Sequence, residues 1–178
     1  SLNLQVPAWA WLLLFVLVFL VYKNSFRTGV PLYLSNPATW SALAEIIPSN
    51  KDIKIVDLGG GVGGTALFMA RQRPDVEILS IESAPIPAVI SKIRAALSGC
   101  QNVEMRYGDF WEIDLAEFQV VYAFLSPIPT ERLYEKVRAE MRPGNLFISN
   151  SFEVPGVQAD EVLELSDGRK TRLHLWRL

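Results

Sequence analysis

Asp57 ends a mainly apolar run that begins at Ile53, and Leu58-Gly59-Gly60-Gly61-Val62-Gly63-Gly64 follows it at once. A helix-like segment, Thr65 to Arg71, comes next. The order is strand, glycine loop, helix. Glycines let a ligand approach the backbone where side chains would block it. The following helix offers free N–H groups and the positive end of its dipole. Such a loop suits the polar part of a nucleotide-like molecule. Two more carboxylates stand in comparable places. Glu82 closes a second strand, and Asp109 lies in Gly108-Asp109-Phe110 after a third.

Two cofactors fit these residues. Gly59-x-Gly61-x-x-Gly64 matches the dinucleotide fingerprint, and Glu82 is placed to accept hydrogen bonds from ribose hydroxyls. On those features an NAD-dependent oxidoreductase is open. Asp57 points elsewhere, because a carboxylate before the glycines receives a ligand ammonium group and repels a pyrophosphate. Asp109 can accept from an adenine amino group while the next backbone N–H donates to a ring nitrogen.

The positioning elements follow from periodicity and punctuation. Ser35-Asn36-Pro37 starts a helix that runs to about Ile47 and stops at Pro48. Strands are expected over 54–58, 77–81, 103–106, 118–124 and 146–152, and helices over 63–72, 85–97 and 130–141. Segments 162–165 and 171–177 read as a hairpin across Ser166-Asp167-Gly168-Arg169. Strands alternating with helices imply a parallel sheet covered on both faces, and the hairpin adds an antiparallel strand.

With these motifs in order, the chain resembles the class I S-adenosylmethionine-dependent methyltransferases, from about Asn36 to Leu178. The resemblance implies an α/β, Rossmann-like, seven-stranded sheet with an antiparallel C-terminal strand, and S-adenosylmethionine as cofactor. It implies that Asp57 and the loop Gly59, Gly61 and Gly63 hold the methionine end. Glu82 would bind the ribose hydroxyls, Ile86 or the Ala84-Pro85 turn would lie against the adenine, and Asp109 and Phe110 would fix the adenine edge. The stretch 153–161 is short for the helix that family carries there. A non-catalytic scaffold of the same fold is the further alternative, disfavoured by the intact Asp57, Glu82 and Asp109.

Ligands sit at the carboxyl ends of parallel strands, so the loop after the fourth strand faces the methyl acceptor. It reads Ala123-Phe124-Leu125-Ser126-Pro127-Ile128-Pro129. This is not the Asn/Asp-Pro-Pro-aromatic pattern of family members that methylate amide or base nitrogens. An amine acceptor must arrive uncharged, and apolar walls such as Phe124, Leu125 and Pro127 lower amine pKa. Ser126 is the candidate to orient the amine and Tyr33 the candidate to close the pocket. His174, the single histidine, lies on the last strand and reads as an ordinary exposed or satisfied histidine rather than a general base. The Ser-Pro loop and a hydrophobic leader are similar to membrane-associated lysine methyltransferases of the ATP-synthase c-subunit type. That similarity implies a lysine of a membrane protein as acceptor.

The leader, Ser1 to Tyr22, contains no charged residue. Its apolar core from Val6 spans roughly 26 Å as a helix, near the roughly 30 Å of a bilayer's hydrocarbon. Residues 1–22 are therefore expected to form a transmembrane anchor, 23–35 a linker and 36–178 the methyltransferase domain. Lys23 and Arg27 would place that domain on the cytoplasmic side of a single-pass membrane protein. Seventeen basic and 19 acidic residues leave a net charge of -2, without the basic excess of a nucleic-acid binder. No acidic cluster suggests a metal. Cys100 is the only cysteine, so no intrachain disulfide is possible.

Overall fold

Strands buried on both faces need cover on both faces, and that requirement organises the molecule. The computed structural model describes residues 7–28, 34–49 and 53–178. Seven strands form one sheet: β1 (Ile53–Leu58), β2 (Val76–Glu82), β3 (Val103–Tyr107), β4 (Val120–Ala123), β5 (Leu146–Asn150), β6 (Glu161–Glu164) and β7 (Arg172–Arg177). Their order is β3-β2-β1-β4-β5-β7-β6. The first five are mutually parallel; β7 runs antiparallel to β5, and β6 antiparallel to β7. The expected sheet and its antiparallel close are therefore present.

Alternation within the strands sends residues to two cores. Ile55 of β1, Ile78 of β2 and Ile148 of β5 pack with α2 (Pro37–Ile46) and α3 (Gly64–Gln72). The partly buried Ala95 of α4 (Pro85–Ser98) joins the same face. Val56, Ile81 and Phe147 pack on the opposite face with Leu133 and Val137 of α5 (Pro127–Glu140). Arg73 ties the C-terminal end of α2 in place. Its guanidinium donates to the carbonyls of Ala44 (3.1 Å), Ile47 (2.6 Å) and Pro48 (2.7 Å) while pairing with Asp75. A cation satisfies the orphan carbonyls of a helix end in just this way. The opposite end of α2 is thereby held over the carboxyl edge of the sheet.

Several boundaries differ from expectation. Helix α5 begins at Pro127, not at Thr130, because Ser126 is its N-cap and proline suits the first helical turn. Strand β5 stops at Asn150, where Ser151 turns to φ +67. No helix forms between β5 and β6; a small turn closed by the Val154–Val157 bridge takes its place.

The leader is helical, but not as an isolated span over 1–22. Helix α1 runs from Ala8 to Thr28 and so includes Lys23, Asn24, Ser25 and Arg27. Its last turns are polar, and half of the expected linker is helix. Among the described residues no helix is long and apolar enough to cross a membrane. The transmembrane expectation is corrected accordingly. Trp9, Trp11, Leu12, Phe15 and Phe19 on α1 are nevertheless exposed.

Candidate functional site

Asp57, Ser80, Tyr122 and Asn150 sit within two residues of the carboxyl ends of β1, β2, β4 and β5. Each lies two residues beyond an apolar residue of the α2/α3 core: Ile55, Ile78, Val120 and Ile148. The two-residue repeat of a strand therefore turns all four toward that same face. Asp57 is in register with Ser80 on one side and with Tyr122 on the other. This polar row forms the floor of the site.

Two cavities open above it. The first, about 190 Å³, is walled by Asp57, Gly59, Gly60 and Tyr122 of the sheet edge, and by Trp40, Thr65 and Arg94 from the helices. Here the glycine loop shows why it is glycine. A Cβ on Gly60 would lie 1.8 Å from Ser80 Oγ and 2.9 Å from Asp57 Oδ2. Gly59, Gly61 and Gly63 all have φ between 56 and 77°, which L side chains rarely adopt. The loop thus presents bare backbone to the cavity.

Asp57 is 4% exposed and accepts a hydrogen bond from Ser80 Oγ at 3.2 Å. Burial pushes its carboxyl up to about 7, with the Glu82 charge adding to the rise and the Ser80 bond opposing it. A carboxylate held this way gains its anionic form when a positive charge arrives. Glu82 locks the loop from the β2 end: its carboxylate accepts from Gly61 N–H at 2.9 Å and Ala84 N–H at 2.6 Å. Four lone-pair sites on a carboxylate leave capacity for further donors.

The second cavity, about 280 Å³, lies on the other side of Ser35 and Phe124, which line both. Its floor is Asn150, with Ser151, Arg169, Lys170 and Arg172 around it. A hydrogen-bond chain runs beneath the boundary. Asn150 Nδ2 donates to Tyr122 Oη at 2.9 Å, and Ser151 Oγ to Asn150 Oδ1 at 2.8 Å. Ser35 also bonds Tyr122, shares a 2.7 Å bond with Thr65 Oγ1 and accepts from Trp40 Nε1 at 2.8 Å. Burial holds the Tyr122 hydroxyl well above the usual phenol range, so it stays protonated.

The residues anticipated from sequence fall into three groups. Asp57 and Gly59 wall the first cavity, and Gly61 and Gly63 complete its loop. Glu82, Ile86, Asp109 and Phe110 lie outside its walls, toward β3. Ile86 is half-buried in the first turn of α4. Asp109 caps a short 3-10 turn by accepting from Trp111 N–H at 3.0 Å, and Phe110 packs on Trp111. Ser126 is buried at the start of α5 and lines neither cavity. Its Oγ is the buried side-chain polar atom without a hydrogen-bond partner among the described residues. Tyr33 lies outside the described residues.

Of the expected apolar walls, Phe124 alone faces the cavities; Leu125 is core, under Gly59. His174 is buried in β7 beside Trp176, and burial lowers its pKa. Tyr122, Asn150 and Ser35 were not singled out from sequence. A polar residue closing each apolar strand on the same parity was the available signal.

The chain is similar to known proteins in sequence and in fold. The model of the ANTKMT methyltransferase domain matches residues 57–161, from Asp57 to the start of β6. A protein-lysine N-methyltransferase of Saccharolobus islandicus is 28% identical over 132 residues, 71% of this chain and 79% of that protein. The adenine nucleotide translocase lysine N-methyltransferase of Mus musculus is 27% identical, covering 85% of this chain and 68% of its own length. A carboxy-S-adenosyl-L-methionine synthase of Nautilia profundicola is 24% identical, and this chain spans 56% of it. Among solved structures, a Salinibacter ruber RNA methyltransferase in complex with S-adenosyl-L-homocysteine superposes with a TM-score of 0.72 at 23% identity. That superposition covers 82% of this chain and 93% of the other, and it speaks to the fold.

Proposed function

Because the chain belongs to the family of the ANTKMT methyltransferase domain, whose cofactor is S-adenosylmethionine, we propose that it methylates a lysine side chain of a protein. The observation that carries this reading is the junction of the two cavities at Ser35 and Phe124. One cavity has the glycine cradle, and the other opens beside it at the carboxyl ends of β4 and β5. Two relatives named as lysine methyltransferases support the choice of acceptor.

The residues present fit the cofactor: the Gly60 position has no room for a Cβ, and Asp57 is a buried carboxylate suited to a cation. When bound, S-adenosylmethionine supplies an electrophilic methyl group on a sulfonium. Asp57 and the backbone of Gly59, Gly61 and Gly63 hold its methionine end. Glu82 takes the ribose hydroxyls, and Ile86, Asp109 and Phe110 border the adenine. On the other side Phe124 walls off water, which disfavours a lysine ammonium and favours the free amine. Tyr122 Oη, fixed by Asn150, offers that amine an acceptor and turns its lone pair toward the methyl carbon.

The test is incubation of the full chain with methyl-labelled cofactor and a cellular protein and membrane fraction, then mass spectrometry of the labelled site. Label on a lysine side-chain nitrogen is expected. Label confined to lipid, RNA or a non-lysine side chain sinks the acceptor assignment.

For the partner of α1 we propose a lipid surface contacted from one side, with the methyltransferase fold on the cytoplasmic face and a membrane protein as substrate. The exposed Trp9, Trp11, Leu12 and Phe15, with Lys23 and Arg27 farther along the helix, support this. Co-sedimentation with phosphatidylglycerol-containing vesicles should depend on residues 8–28. Equal sedimentation of a chain lacking them removes the reading.

A further inference from the structure

Arg169, Lys170 and Arg172 line the acceptor-side cavity, and among the described residues no carboxylate does. Asn36 and Thr39, at the N-terminal end of the ten-residue α2, line it too, adding the positive end of a helix dipole. Two acids stand beside it, and each is already bonded to lining residues. Asp167 accepts from Thr171 N–H at 2.8 Å, from Thr171 Oγ1 at 2.6 Å and from Asn36 Nδ2. Glu164 pairs with Arg172 at 3.3 Å, but both groups are exposed, and such a pair is readily exchanged. Among the described residues, the Arg169 guanidinium donates to the Leu34 carbonyl at 3.3 Å.

The backbone marks the same place. Among the described residues, Ser151 and Lys170 are the two non-glycine residues with positive φ, +67 and +51, and both line this cavity. Ser151 N–H donates to the Arg172 carbonyl at 2.7 Å, and Lys170 N–H to the Asp167 carbonyl at 3.0 Å. Strained backbone gathers where a ligand site is shaped.

A lysine entering alone would meet three like charges. Carboxylates beside it in the substrate would turn that repulsion into attraction, while the cationic rim would still favour the uncharged amine at the methyl. The chain has a net charge of -2, without the overall basic excess of a nucleic-acid binder. Resting on the lysine reading above, we infer that the rim formed by Arg169, Lys170 and Arg172 recognises carboxylate side chains flanking the acceptor lysine of a protein substrate.

Two fluorescein-labelled peptides test this on the full chain saturated with S-adenosylhomocysteine. Both carry a central lysine; one is flanked by Asp and Glu, the other by Asn and Gln. Anisotropy should show the acidic peptide bound at least about tenfold more tightly, with the preference fading as salt rises. Arg169→Glu with Lys170→Glu should erase the preference and leave S-adenosylhomocysteine affinity unchanged by calorimetry. If that pair fails to fold, Arg169→Gln with Lys170→Asn replaces it, since Asn tolerates the left-handed backbone. Equal binding of both peptides, a preference surviving these variants, or tighter binding of a single-stranded oligonucleotide at the same residues overturns the inference. An acidic preference that persists with methionine in place of the central lysine, with no methyl transfer to either lysine peptide, instead discards the lysine reading alone.

Discussion

Asp57 occupies the position in this molecule where a carboxylate is least at ease: buried, near Glu82, with a serine hydroxyl as its donor. In the folded chain its carboxyl keeps a proton up to about pH 7, whereas the unfolded group releases it near its ordinary value of 3.8. Between those values the folded state binds more protons, so this group's contribution to stability falls as pH rises through the window. Asp57→Asn removes that loss. Urea unfolding of the cofactor-free chain should show the variant and parent alike near pH 4. The variant should be the more stable at pH 8, by at most about 4 kcal/mol. Calorimetry should show it binding S-adenosylmethionine at least about tenfold more weakly at pH 8, where the anion is lost. A parent more stable than the variant at pH 8 contradicts this account. The residue's importance was legible from its place before the glycines; its raised pKa was not, since burial comes from α2 and α3 closing over it.

At the scale of elements, the site is a row of strand ends. Parallel pairing sets Asp57 opposite Ser80 and Tyr122, and β5 beside β4 then brings in Asn150. Arg73 and α2 deliver Ser35 and Trp40 from above. Tyr122→Phe keeps the ring in the core and removes only the hydroxyl fixed by Asn150. We expect it to lower kcat for methyl transfer by about 10- to 100-fold with little change in cofactor affinity. Ser126→Ala removes a hydroxyl that lines neither cavity and has no hydrogen-bond partner. It should change kcat less than about threefold and leave stability unchanged or slightly higher, because a buried unpaired hydroxyl costs free energy. Single-turnover rates with labelled cofactor decide between them, and the reverse ranking would restore Ser126 as the acceptor-side group. Loop position alone made Ser126 attractive. Helix α5 starts earlier than Thr130 and turns that serine into its N-cap; Ser126-Pro127 carries the same local helix-start signal as Asn36-Pro37.

For the whole molecule, the two cores, the two cavities and the basic rim come from one arrangement, a doubly covered sheet with a hairpin closing its far edge. Apolar runs, helix starts at Asn36-Pro37 and Pro85, and the Asp-Gly turn are local signals. They specify sheet, helices and hairpin because burial, capping and turn chemistry act over a few residues. The glycine loop, Asp57 and Glu82 were readable for the same reason: they belong to one strand–loop–helix unit and the end of the next strand. Membrane crossing was read from the same kind of local pattern, and among the described residues no helix is long and apolar enough for it. Two things needed the assembled fold. One is the meeting of Ser35, Tyr122 and Asn150, which are far apart in the chain. The other is the approach of Arg169, Lys170 and Arg172 to the second cavity. These depend on strand order and on which helix end lies over which strand end, and long-range packing decides both.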